Sequence, residues 1–283
     1  LARLNPRNDY TELRLRIQTW WPLAIGFFAA VSIDRAVSFA VLATVSYLAF
    51  REYLSLVPTR RTDGKVLKWA CLAIPLQYFW AWTGNYGLFI AFIPVFVLLA
   101  LPARMALAGE SAGFARSSAI AQWGLLITVF ALSHLAFLLA LPQPAEARYD
   151  GATLLFYVVF LTEINDVAQY VWGKCVGHRR AAPNVSPNKT CEGLLGGVAT
   201  TTLLAWLIAP WLTPLRGHEA AAAGLMIGVG GFVGDIVMSA IKRDAGVKDT
   251  GTALPGHGGI LDRLDSLIFT APLFFHFVHY LHY

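Results

Sequence analysis

Residues 119–141 read AIAQWGLLITVFALSHLAFLLAL, with no Asp, Glu, Lys or Arg in the whole stretch. A membrane-spanning helix needs about 20 mostly apolar residues, so this stretch decides the fold class. The rest of the 283-residue chain agrees: 57% of it is hydrophobic, only 14% is charged, and the mean hydropathy is +0.56. Soluble domains carry about a quarter charged residues, and disorder needs low hydrophobicity with high net charge; both classes are excluded. Three cysteines do not make a disulfide framework. The expected fold is an all-α polytopic integral membrane protein.

Working outward from 119–141, about nine transmembrane helices are expected, over 20–33, 36–50, 66–82, 87–103, 119–141, 151–173, 194–213, 219–241 and 260–281. The first two are short and separated only by Asp34-Arg35; the alternative is one long helical hairpin. Residues 11–21 form an expected interfacial helix, with Thr11 as its cap and Trp20-Trp21 at the headgroup layer. No cleavable signal is read, because arginines precede the first apolar run and no small-residue cleavage site follows it. The chain divides into an N-terminal segment 1–19, N-terminal helices over 20–150, and a C-terminal catalytic part over 151–283 with cytoplasmic loops 174–193 and 242–259. With the N-terminus inside, all but Arg35, Arg148 and Arg216 of the 22 basic residues lie on the cytoplasmic side. The net charge of +5 therefore reports topology and contact with membrane lipids; nucleic acid is not expected as a partner.

Ionisable residues inside spans cost free energy and mark function by default. The first five spans hold none in their interiors, whereas the sixth holds Glu163 and Asp166 and the eighth holds Asp235. Glu163, Asp166 and Tyr170 share a helix face by their spacing. The following loop, Ser186-Pro187-Asn188-Lys189-Thr190-Cys191-Glu192-Gly193, offers an ammonium, hydroxyls and glycines to a phosphate, although a loop that caps the next helix uses similar residues. Asp235, Ser239 and Lys242 share one face of the eighth span; Arg243, Lys248, Asp249, a Pro255-Gly256-His257-Gly258-Gly259 turn, Asp262, Arg263 and Asp265 follow. Hard oxygen ligands beside cations and a glycine-rich turn suit a magnesium–polyphosphate site.

These residues resemble the phosphatidate cytidylyltransferases, or CDP-diacylglycerol synthases. That family's pattern of Ser, two residues, Lys-Arg, four residues, Lys-Asp, then Pro-x-His-Gly-Gly, two residues and Asp-Arg-x-Asp is kept in full as SAIKRDAGVKDTGTALPGHGGILDRLD, Ser239 to Asp265. Asn165-Asp166 with Tyr170 and Gly173, and the 186–193 loop, resemble two further family segments. Gln169, Cys191 and Asn188 depart from the usual Ala, Trp and Lys, and the N-terminal half carries no family motif. The resemblance implies transfer of CMP from CTP to phosphatidate with release of pyrophosphate, aided by magnesium and a possible second cation. It implies Asp235 and Asp262 as main metal ligands with Asp265 and Asp166 in support, and Lys242, Arg243, Lys248, Asp249 and Arg263 in the catalytic set. Ser186, Asn188, Lys189, Thr190, Glu192, Ser239, His257, Asp166 and Tyr170 would bind substrate. It also implies a homodimer in a bacterial inner membrane with the site on the cytoplasmic face.

Two other readings stand beside it: a cytidylyltransferase for another lipid phosphate, and a transporter that uses Glu163, Asp166 and Asp235 as an ion path. The transporter reading gives no reason for the Lys-Asp, His-Gly-Gly and Asp-Arg-x-Asp run. His276, His279 and His282, the three cysteines and the tryptophans are read as structural, and no P-loop pattern occurs.

Overall fold

Asp34, where two short spans were expected to meet, caps the helix that follows it: its carboxylate accepts the Ala36 N–H at 2.8 Å and α1 runs Arg35–Leu56. The computed structural model describes residues 25–26, 29–31, 33–57, 64–107, 111–142, 148–251 and 258–283. The expected interfacial helix 11–21, most of the span 20–33, and His257 lie outside the described residues.

After α1 come α2 (Gly64–Trp82), α3 (Tyr86–Ala106), α4 (Phe114–Leu138), α5 (Gly151–Val176), a hairpin of β1 (Arg180–Ala182) and β2 (Ser186–Thr190), α6 (Cys191–Leu212), α7 (Gly217–Asp244) and α8 (Leu261–His282), which breaks at Asp265-Ser266. Among the described residues seven helices, all of these except α2, are long and apolar enough to cross a membrane. The expected number of about nine is therefore not reached within the described residues. Lys65, Lys68 and Gln77 dilute the hydropathy of α2, which is helical where a span was expected. The antiparallel pairing of β1 with β2 was not expected, since 174–193 reads as an open loop.

Several helix starts have a local cause. Asp150 and Thr153 form a reciprocal capping box for α5, Asn85 caps α3, and the Thr190 hydroxyl accepts Gly193 N at 3.0 Å to open α6. Internal prolines at 75, 102, 210 and 272 are accommodated inside helices, as membrane helices allow.

The C-terminal helices pack through small residues, because lipid supplies no hydrophobic drive between helices and close backbone approach must. A Cβ at Gly193 would lie 2.7 Å from the Gln169 carbonyl, and one at Gly224 would lie 2.7 Å from Thr202 Cα. These glycines bring α6 against α5 and α7. Buried polar ties then fix the register. Asn165 on α5 accepts from Thr201 on α6 at 3.1 Å and donates to the Gly228 carbonyl on α7 at 3.2 Å, while Thr162 donates to Thr270 on α8 at 2.8 Å. Large apolar side chains such as Trp69, Leu99, Leu195 and Trp211 face outward, as a lipid-facing surface requires.

Candidate functional site

The C-terminal ends of α1, α5 and α7 meet the N-terminal ends of α6 and α8 at one end of the bundle, and the expensive residues gather there. Gly234 sets the approach of α7 to α8: a Cβ there would come within 2.6 Å of the Asp265 carbonyl. The next residue, Asp235, accepts the Ser239 hydroxyl at 3.2 Å and forms an ion pair with Lys189, whose ammonium also lies 5.0 Å from the Phe232 ring centroid. Lys189 reaches this carboxylate from β2, so the hairpin closes over the carboxyl end of α7.

Asp262 is 8% exposed and fully engaged. Its Oδ1 takes the Lys242 ammonium at 2.8 Å, and its Oδ2 accepts Thr250 N at 2.8 Å, the Thr250 hydroxyl at 2.9 Å and Gly259 N at 3.0 Å. Charge-assisted bonds of this kind are the strong ones. Gly258 lies at φ 79°, a backbone region that glycine occupies at no steric cost, and this turns the chain so that the Asp262 carboxylate faces the Gly259 and Thr250 amides.

Asp166 accepts the Ser266 hydroxyl at 2.8 Å on Oδ2, while its Oδ1 is buried without a hydrogen-bond partner among the described residues. Asp265 accepts Ser266 N at 2.8 Å. Asp166, Asp235 and Asp265 are close enough for their charges to act on one another, with Lys189 and Lys242 also in range.

The other residues expected at the site occupy more ordinary positions. Thr190 is the α6 cap, and Glu192 accepts His178 N at 3.0 Å and Arg179 N at 3.1 Å, tying the base of the hairpin. Ser186 is half-buried and Asn188 exposed in β2. Arg243 donates to the Val247 carbonyl at 2.9 Å and closes the turn after α7. Lys248, Asp249 and Arg263 are exposed near the same end. Tyr170 is exposed, with Lys174 lying 5.8 Å from its ring centroid, so its hydroxyl is not packed with Asp166 as the shared helix face suggests.

One residue that sequence reasoning missed stands in the middle of the loop network. Glu52, from the last turn of α1, accepts Ile260 N at 2.9 Å, Leu261 N at 3.1 Å and the Thr250 hydroxyl. Gly259 leaves the space its carboxylate occupies. Its only signal is a Glu beside Arg51 just past an apolar run, which reads as a solvated helix end.

No three His, Cys, Asp or Glu side chains among the described residues form a ready metal-ligand set. Magnesium does not need one, since it takes one or two carboxylates and completes its shell with water and substrate phosphate. The unpartnered Asp166 Oδ1, with Asp235 and Asp265 in range, supplies hard oxygens of that kind. The donor set fits such an ion.

The model of the cytidylyltransferase family matches residues 14–281. The chain is 46% identical over 275 residues to the uncharacterized protein YnbB of Escherichia coli, covering 97% of this chain and 90% of that one. It is 48% identical over 114 residues to a phosphatidate cytidylyltransferase of Synechocystis sp., and 41% identical over 128 residues to one of Bacillus subtilis. Those two matches cover 40% and 44% of this chain, and 39% and 47% of the relatives, so the chain matches less than half the length of either. With a family match that runs through nearly every described helix, including those that carry Glu52, Asp166, Lys189, Asp235 and Asp262, the chain belongs to the cytidylyltransferase family.

Proposed function

We propose that this membrane enzyme transfers CMP from CTP to a lipid phosphate, phosphatidate being the foremost substrate, to give CDP-diacylglycerol and pyrophosphate. The observation that carries the reading is the pairing of two lysines with two carboxylates, Lys189 with Asp235 and Lys242 with Asp262, beside the unpartnered oxygen of Asp166 at one end of the bundle. The names of the Synechocystis and Bacillus relatives support phosphatidate as acceptor.

In the transfer, an oxygen of the lipid phosphate attacks the α-phosphorus of CTP. The bond from that phosphorus to the oxygen bridging to the β-phosphorus breaks, and pyrophosphate leaves with the electron pair. A phosphate oxygen is nucleophilic at neutral pH, so the residues act by positioning and charge neutralisation rather than by removing a proton. Lys189 and Lys242 hold phosphate oxygens, and each is positioned by its carboxylate, Asp235 or Asp262. Arg243, Lys248 and Arg263 hold the outer phosphates, and Ser239 keeps Asp235 in place. Asp166, Asp235 and Asp265 would hold magnesium, and Asp262 would join them only on releasing Lys242; when bound, the ion neutralises charge on the triphosphate. The basic residues at this end support a cytoplasmic site by the positive-inside rule, with the lipid phosphate entering from the inner leaflet.

The test is purified protein in lipid nanodiscs with CTP, magnesium and a panel of acceptors: phosphatidate, an ether-lipid phosphate and an isoprenoid phosphate. CDP-diacylglycerol as the main product supports the reading. Product from another acceptor alone reassigns the lipid, and no CDP-lipid from any of them removes the activity.

A further inference from the structure

The bonds of Glu52 have no role in the reaction as drawn above, yet they join the N-terminal half of the chain to the site. Glu52 sits one turn from the C-terminal end of α1, half-buried, next to the buried Tyr53. No lysine or arginine among the described residues forms an ion pair with it. Its charge is met by the Ile260 and Leu261 amides and the Thr250 hydroxyl, all from the segment that delivers Asp262. Thr250 is the junction. Its amide donates to Asp262 Oδ2 at 2.8 Å, and its hydroxyl, which has a single proton, stands between Glu52 and Asp262 Oδ2, 2.9 Å from the latter, so one residue links Glu52 to the carboxylate that holds Lys242.

The packing is arranged around this contact. Any side chain at Gly259 would fall on the Glu52 carboxylate and the Thr250 hydroxyl, and a Cβ at Gly251 would lie 3.4 Å from Glu52 Cδ. A surface glutamate that merely solubilised a helix end would need no glycine at 259. Resting on the transfer reading above, we propose that Glu52 is a positioning residue of the transfer site: through Ile260, Leu261 and Thr250 it holds the start of α8 so that Asp262 and Lys242 stay aligned for magnesium–nucleotide binding. The N-terminal helices thus act on the chemistry without touching substrate.

The experiment compares Glu52→Gln with Ser55→Ala, a control whose hydroxyl donates only to the Glu52 carbonyl one turn away. The glutamine keeps the shape but replaces one acceptor oxygen with a donor. Two quantities are read: deuterium exchange at residues 258–262 in metal-free protein, and the magnesium concentration that gives half-maximal CDP-lipid formation. Expected for Glu52→Gln are about tenfold faster exchange at Ile260 and Leu261 and an about tenfold higher magnesium requirement, with kcat largely recovered at high magnesium, since one lost bond to a charged group is of that order. Ser55→Ala should match wild type in both. If Glu52→Gln does not fold, Thr250→Val, which removes the linking hydroxyl, should shift both readings the same way. Unchanged exchange and magnesium requirement, or equal losses in the Ser55→Ala control, would overturn the proposal. Exchange needs no turnover: a wild type that makes no CDP-lipid would defeat the transfer reading, while the exchange comparison still decides whether Glu52 holds this segment.

Discussion

Lys242 Nζ and Asp262 Oδ1 stand 2.8 Å apart with both residues more than nine-tenths buried, so α7 and the start of α8 are joined by an ion pair with almost no water around it. Removing one partner leaves the other as an uncompensated charge, which typically costs about 3–5 kcal/mol. Lys242→Met is therefore expected to lower unfolding stability by roughly that amount and to abolish transfer. Asp262→Asn keeps an acceptor for the amides and should fold better than Lys242→Met while losing activity at least as completely. Denaturant titration in detergent beside a turnover assay checks both; wild-type stability in Lys242→Met would mean the pair is not held as described.

Lys189 and Thr190 are neighbours in β2 with opposite expected effects. The Lys189–Asp235 pair keeps side-chain exposures of 18% and 24%, against 11% and 6% for Lys242–Asp262, so its loss should cost less stability than Lys242→Met. Transfer in Lys189→Ala should fall by tenfold or more, because a phosphate ligand is gone. Thr190→Val removes the α6 cap, costing about 1 kcal/mol, and should leave turnover near wild type. A reversed pattern, measured by melting and initial rates, would contradict the division between them.

Gly259 and Gly246 provide a second contrast. Gly246 lies at φ 73° with nothing within 4 Å of an added Cβ, so Gly246→Ala should cost only backbone strain, about 1 kcal/mol. Gly259→Ala drives a methyl group into Glu52 and Thr250, and crowding of this kind costs about 1–3 kcal/mol. Activity should fall much further in Gly259→Ala than in Gly246→Ala. Equal losses would place Glu52 outside the site.

Chelation should separate folding from chemistry. Lys189 pairs with Asp235 and Lys242 with Asp262, so these carboxylates have protein partners of their own, and removing magnesium should abolish transfer yet move the melting temperature by no more than about 2 °C. A large loss of stability on chelation would indicate a structural metal instead.

The membrane class and the α5–α8 helices were legible because charge is scarce in this chain and stands out against long apolar runs. Spacing along one helix face also anticipated the bond of Ser239 to Asp235, whereas Lys242 pairs with Asp262 across to α8. Three features were not legible. Glu52 accepts from backbone amides 208 and 209 residues away along the chain, and a backbone donor has no letter in the sequence. The hairpin at 180–190 was hidden because its strands are short, and its helix-capping Thr190 and tying Glu192 look the same as phosphate-binding residues. The engagement of Asp262 was also unreadable, since only geometry tells a free carboxylate from one already met by the Lys242 ammonium and the Thr250 and Gly259 amides.

The most direct measurement follows two labels in one reaction: CTP labelled on the α-phosphorus or on the γ-phosphorus, incubated with phosphatidate, magnesium and the purified protein. The α-label should pass into a chloroform-soluble CDP-lipid and the γ-label into pyrophosphate, in equal molar amounts. No lipid-borne α-label, or γ-label found in the lipid or released as orthophosphate, would contradict CMP transfer.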